Sequence, residues 1–253
     1  MSHRLRLWPA RWPLRLVRGL AASLLPSSCA LCGLDSEGAV CAPCHARFLA
    51  GSGARCRCCA NPLAWRDACW PCAVCQRAPP AYDATVAAGD YASPLDQLVL
   101  QLKFGGRLAL APWMGTVLGQ AVLARPPAAL PDLLCPVPLG PSRLVERGFN
   151  QALEIARPLS RTLGIPLRAA LALRARDTAA QSGVGPAERK RNIRRAFTLA
   201  PGAQDMVRGR HIGVVDDVMT SGATLHELAA TLKRAGAARV SNFVFARTPP
   251  RTD

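Results

Sequence analysis

The segment Ile212-Gly213-Val214-Val215-Asp216-Asp217-Val218-Met219-Thr220-Ser221-Gly222-Ala223-Thr224 carries more structural and chemical information than any other in this chain. A short apolar run ends in two acids, and a turn of hydroxyls and glycine follows. Leu225, Leu228, Ala229 and Leu232 then lie three and four apart, which predicts a helix with one apolar face. Thr224 and Glu227 have the spacing of a capping box, which predicts that the helix starts at Thr224. Gly236 should end it, and Val240 to Phe245 should form the next buried strand. The unit is strand–loop–helix–strand, with a right-handed crossover.

The chemistry follows from that order. The backbone amides of Ser221, Gly222, Ala223 and Thr224 fall at a helix N-terminus, where unpaired donors and the helix dipole suit a phosphate. Thr220, Ser221 and Thr224 add hydroxyls, and Gly222 lets a ligand approach the backbone. Asp216 and Asp217 fall at the carboxyl end of the strand, where open α/β sheets bind ligands. Two carboxylates beside a phosphate repel the ligand unless they accept hydroxyl protons or face a metal. A ribose carrying a 5′-phosphate meets that condition.

Val214 to Thr224 resembles the phosphoribosyl-pyrophosphate (PRPP) loop of type I phosphoribosyltransferases. Members of that family more often have threonine where this chain has Ser221, a change that keeps the hydroxyl. An acidic pair also ends buried strands elsewhere, as in response-regulator receivers, but the eleven-residue string is far more specific than the pair.

The chain has 253 residues, enough for one ordinary domain and a small one, and half of them are hydrophobic. The formal net charge of +16 is carried mostly by arginine. A GC-rich genome accounts for such an excess; so does an anionic partner such as a nucleotide, pyrophosphate or nucleic acid. Eleven cysteines are present, ten of them between Cys29 and Cys75, and their C-x-x-C pairs point to metal rather than disulfides. Two four-thiolate zinc sites would lower the net charge to about +12.

Residues 1–25 form a basic leader, with Arg4, Arg6, Arg11, Arg15 and Arg18 and no acid. Its apolar run is interrupted by Arg18 and is too short to span a bilayer, and the metal spacing that follows argues against a signal peptide. Residues 26–78 read as a double zinc ribbon. Cys29, Cys32, Cys41 and Cys44 make one set, with Gly33 supplying the positive φ of a zinc knuckle. Cys56, Cys59, Cys72 and Cys75 make the second, although Cys58 and Cys69 offer alternative registers and a cross-braced pairing has the same spacing. His45 reads as a surface residue. Trp65 and Trp70 lie beside Arg55, Arg57 and Arg66; covering the metal site explains them more simply than stacking single-stranded nucleic acid.

Residues 79–253 read as the sheet domain. Thr85 to Tyr91 predicts a strand, Leu95 to Leu102 a helix ending at Lys103-Phe104-Gly105, and Leu108 to Leu123 a buried helix. Leu133 to Pro138 predicts a short strand, Leu139 to Arg143 a loop, and the residues after Arg147-Gly148-Phe149-Asn150-Gln151 another helix.

These motifs together resemble the ComF-like competence proteins, a branch of the phosphoribosyltransferase superfamily that also opens with a double zinc ribbon. The resemblance rests on Pro136-Val137-Pro138, Arg147 to Gln151, Lys103-Phe104-Gly105, and the run from Arg176 through Thr178, Gln181, Glu188, Arg189 and Asn192 to Phe197. It covers about residues 26 to 247. One departure is Ala60-Asn61-Pro62, where the family has glycine after the cysteine pair, which puts the second knuckle in question.

The resemblance implies a parallel α/β sheet with helices on both faces, two structural zinc ions, and Mg²⁺ bound with PRPP. It implies ligand contacts from Lys103, Arg143, Arg147 and Arg189, the last in a basic loop that covers the pyrophosphate. Asp216 and Asp217 would hold the ribose as the catalytic pair. Two functions follow. One is a cytoplasmic protein of DNA uptake that binds PRPP or a nucleotide and single-stranded DNA beside the uptake machinery. The other is a PRPP-dependent transferase of nucleobase or nucleoside salvage, for which the sequence identifies no accepting-base pocket.

Overall fold

A computed structural model describes residues 27–49, 53–63, 71–125, 129–175 and 195–249. The leader, Trp65, Arg66, Cys69, Trp70, Arg189 and the rest of 176–194 lie outside the described residues.

The cysteine-rich part comprises the strand pair β1 (Ser27–Ser28) and β2 (Asp35–Ser36), then α1 (Ala42–Leu49) and α2 (Ala73–Arg77). The sheet part runs β3 (Ala84–Asp90), α3 (Leu95–Lys103), α4 (Leu110–Leu123), β4 (Leu133–Pro136), α5 (Pro141–Arg147) and α6 (Gln151–Leu163). It continues with β5 (Ala172–Arg174), β6 (Phe197–Leu199), α7 (Gln204–Val207), β7 (His211–Met219), α8 (Ala223–Arg234) and β8 (Arg239–Arg247). Strands β3, β8, β7 and β4 form one sheet in that order, and every neighbouring pair is parallel. β5 and β6 make a separate antiparallel pair.

The two central strands are covered on both faces, so they read as continuous apolar runs rather than alternations. Ile212, Val214, Val240 and Val244 pack with Leu225, Leu228 and Leu232 of α8. Val215, Phe243 and Phe245 pack on the other face with α3, α4 and α6 through Leu98, Leu102, Met114, Leu118, Ile155 and Leu159. Burying each such leucine contributes roughly 2 kcal/mol. Helices α4 and α6 approach closely because Gly115 has no side chain: a Cβ there would lie 2.4 Å from Pro158 Cγ.

Asn150 gives the Arg147-Gly148-Phe149-Asn150-Gln151 motif its structural logic. Gly148, at φ 77°, ends α5. Two residues on, the Asn150 Oδ1 caps α6 by accepting from the amides of Ala152 (3.0 Å) and Leu153 (3.4 Å), while its Nδ2 donates to the Val137 carbonyl (3.0 Å).

Two local expectations fail. Residues Pro141 to Arg143 open a helix rather than a loop, with Gly140 as N-cap and Pro141 in the first turn, where its missing N–H costs nothing. The capping box at Thr224 does not form. The helix begins at Ala223 after Gly222, and Glu227 Oε1 instead accepts from the backbone of Arg195 (3.0 Å). A tertiary donor has taken the carboxylate that the local motif would have used.

Candidate functional site

The loop after β7 lies at the carboxyl ends of the parallel strands. Gly222 adopts φ 78°, which strains any other residue, and a Cβ there would lie 2.6 Å from Met219 Cε and 3.0 Å from Tyr82 Oη, so a side chain would have to displace them. The turn ends directly in the first turn of α8, whose leading amides have no intrahelical partner. Ser221 Oγ approaches the Ala223 amide at a long 3.4 Å, and Thr220 and Ser221 are exposed. This leaves N–H and O–H donors of the turn without strong internal partners at the carboxyl end of the sheet.

The two acids are buried, Asp216 at 9% and Asp217 at 2% exposure. Asp216 Oδ1 accepts the Asp217 amide (2.9 Å). Burial, reinforced by the neighbouring Asp217 carboxylate, holds Asp216 well above the usual carboxylate range. Lys103 Nζ reaches Asp217 Oδ2 at 2.5 Å from the end of α3, but the approach is poorly aligned for a hydrogen bond, and that oxygen has no hydrogen-bond partner. Arg147 is held by Gln151 Oε1 (2.5 Å) and lies over the Phe104 ring, 5.3 Å from its centroid. Burial lowers the Arg147 pKa, while Asp217 opposes that shift and Arg143 adds to it, so all three share one electrostatic neighbourhood. Lys103, Arg143, Arg147, Asp216 and Asp217 are thus brought together beside Thr220 to Thr224. Nearby, the exposed Arg107 guanidinium donates to Gln101 Oε1 (2.7 Å). A cavity of about 1410 Å³ opens at the opposite end of the sheet, beside Asp83, His211 and Arg239, and contains none of these residues.

The cysteines form two tetrads in sequential order, Cys29, Cys32, Cys41, Cys44 and Cys56, Cys59, Cys72, Cys75. Within each, the four sulfurs lie within 4.8 Å of one another. The Cys32–Cys41 and Cys59–Cys72 sulfurs are 3.7 and 3.6 Å apart. Four thiolates at zinc–sulfur bonds of about 2.3 Å would have sulfurs about 3.8 Å apart, so both tetrads fit tetrahedral zinc. Knuckle amides also aim at the sulfurs: Leu31 and Cys41 donate to Cys29 Sγ (3.4 and 3.3 Å), and Cys59 and Cys72 to Cys56 Sγ (3.5 and 3.2 Å). Cys58 stays out of the tetrad as a buried thiol, its pKa raised by burial, with its sulfur 4.0 Å from the Tyr82 carbonyl. The missing glycine does not prevent the second knuckle. Ala60 takes the left-handed conformation itself, at φ 57°, a strain of about 1 kcal/mol.

The phosphoribosyl transferase domain family model matches residues 150–253. The DNA utilization protein YhgH of Salmonella typhimurium is 37% identical over 230 residues, which is 88% of this chain and 98% of the relative. Its Escherichia coli K12 counterpart is 40% identical over 181 residues, 70% of this chain and 78% of that protein. Competence protein F of Haemophilus influenzae is 32% identical over 179 residues, again 70% and 78%.

The chain belongs to the ComF/YhgH family.

In this ComF-family chain two residues packed against the loop escape a sequence reading, Tyr82 and Arg247. Arg247 ends β8 only 7% exposed and donates to the carbonyls of Cys59 (2.9 Å), Met219 (3.0 Å), Thr220 (2.5 Å) and Thr248 (2.6 Å). The available signal was an arginine closing an apolar strand, since a cation there must find partners. Among the described residues no helix is long and apolar enough to cross a membrane.

Proposed function

We propose that the 216–224 site binds PRPP, with Mg²⁺, in a cytoplasmic protein of DNA uptake and use that also holds single-stranded DNA. The observation that carries the ligand is the pairing of two buried carboxylates with a donor-lined turn one residue beyond the strand. The turn amides and the Thr220, Ser221 and Thr224 hydroxyls take the 5′-phosphate. Asp216 and Asp217 accept the ribose hydroxyls. Lys103, now on Asp217, is placed to move to the pyrophosphate, with Arg143 and Arg147 behind it. The Asp217 carboxylate, and Asp216 once it gives up its proton, are suitable oxygen donors for Mg²⁺, which supplies neutralising charge to a pyrophosphate.

The DNA reading rests on the names of the YhgH and competence relatives and on a net charge of +16, far more than one pyrophosphate needs. A specific observation supports transfer chemistry as a second reading. Phe104 is 74% exposed beside Lys103, with Arg147 near its ring, and an open aromatic face there suits the accepting base of a nucleobase-salvage transferase. In that reading the acids hold the ribose as positive charge grows at C1 and the surrounding cations receive the departing pyrophosphate.

Pyrophosphate release from PRPP with a panel of bases, run beside single-strand binding at several salt concentrations, separates the two. The uptake reading expects strand binding that falls by about 0.7 log units per log unit of salt for each phosphate neutralised, with slow or no release. Rapid release with one base and no strand binding would replace it with salvage.

A further inference from the structure

The second cysteine tetrad and the phosphate loop are joined by one side chain. Arg247 stands opposite Met219 in the β7–β8 register, so its guanidinium lies where the strand becomes the loop. Through Nε it donates to the Cys59 carbonyl, and through Nη1 to the carbonyls of Met219, Thr220 and Thr248. No carboxylate pairs with it among the described residues. The buried charge is therefore satisfied by carbonyls alone, and one of those belongs to a metal ligand.

Tyr82 makes a second connection. It is 6% exposed, its hydroxyl lies against Gly222, and its carbonyl faces the Cys58 thiol, between two ligands of the same knuckle. Cys56, Cys58, Cys59, Cys75, Tyr82 and Met219 share one apolar cluster. The first tetrad is placed differently: Cys29 packs on the other face of the sheet, with Val86, Leu95 and Phe245.

We propose that Arg247 and Tyr82 make the second tetrad a positioning support for the phosphate loop. Metal loading at Cys56, Cys59, Cys72 and Cys75 then sets the loop's readiness for its anionic ligand, whereas the first tetrad does not take part. The backbone at Cys59 is fixed by coordination. Without it the guanidinium loses an anchor, the carbonyls of Met219 and Thr220 lose a fixed donor, and the turn that aims the amides of 222–224 loosens. Linkage makes the coupling reciprocal, so a ligand on the loop must tighten metal at the second tetrad by the same factor.

The proposal rests on the PRPP reading only for the choice of probe. Intact zinc-loaded protein is exposed to a chelator and a thiol alkylator, and the labelled cysteines are read peptide by peptide, with and without saturating PRPP and Mg²⁺. PRPP should slow labelling of Cys56, Cys59, Cys72 and Cys75 by about tenfold and leave Cys29, Cys32, Cys41 and Cys44 unchanged. Arg247→Met should remove that protection and Arg247→Lys should restore part of it. Amide exchange on the same samples needs no PRPP: residues 220–224 should exchange faster once the second tetrad is stripped. Equal protection of both tetrads, or loop exchange indifferent to the metal, would overturn the proposal. If PRPP fails to bind the intact protein, the ligand assignment falls, and the amide-exchange result alone decides the support.

Discussion

Lys103 Nζ lies 2.5 Å from Asp217 Oδ2, joining the end of α3 to the acid pair of β7 across 114 residues of sequence. The carboxylate side chain is 3% exposed and the lysine 21%, so neither charge is well hydrated. Removing one partner leaves the other uncompensated. Lys103→Met should therefore cost about 3 kcal/mol in urea unfolding. Adding Asp217→Asn should recover most of that, because both charges are then gone. A single variant as stable as the parent would mean that water already compensates Asp217.

Asp216 gives the protein a distinctive pH response. Its folded pKa is raised, by burial and then by Asp217. The native state thus holds a proton that the unfolded chain releases near pH 4. The contribution of this group to stability is complete below that pH and is lost as pH rises through the folded value. Asp216→Asn should be more stable than the parent at neutral pH by about 1 kcal/mol, with the advantage vanishing near pH 4. Urea midpoints measured from pH 4 to 8 check this; an advantage that grows toward acid would show the sign to be wrong.

The strand–loop–helix unit at 212–234 was legible because its signals are local: an apolar run, a glycine turn and a 3.6-residue period. The tetrads were legible as sequential C-x-x-C pairs, but the sequence left Cys58 and Cys69 open as alternatives. The geometry excludes Cys58 through knuckle amides that point at Cys56 and leave Cys58 facing Tyr82. What failed depended on distant partners. Glu227 was read as a cap, but the Arg195 amide occupies it from 32 positions away. Arg247 gave no hint of bonding Cys59, 188 positions earlier. Nor did the motif reveal that the acids are buried rather than displayed on the surface, which follows from sheet packing and the reach of Lys103.

Gly115 supplies a test of the fold that leaves the site untouched. A Cβ there would meet Pro158 Cγ at 2.4 Å and the Ile155 carbonyl at 2.6 Å, neither at the end of a flexible chain. Gly115→Ala should cost about 2 kcal/mol through overpacking between α4 and α6. Thermal unfolding reads the loss. An unchanged midpoint would mean that the helices separate more easily than their packing implies.

Elemental analysis should find two zinc ions per chain, matching the two tetrads. Stripping both should unfold more than the cysteine-rich segment. Cys56, Cys59 and Cys75 share an apolar cluster with Val214 and Val244, and Cys29 shares one with Phe245. Far-ultraviolet circular dichroism after chelation should show a lowered melting temperature for the sheet part as well. Metal-free protein with an unaltered melting curve would make the tetrads incidental to the fold.

The central claim is that Asp216, Asp217 and the 220–224 turn form a PRPP site. Calorimetric titration of PRPP with Mg²⁺ into the parent protein and into Asp216→Asn with Asp217→Asn tests it most directly. Saturable binding in the parent and none in the double variant, with both proteins folded, is the result expected. Equal affinity in the two would contradict the claim and place the ligand elsewhere on the molecule.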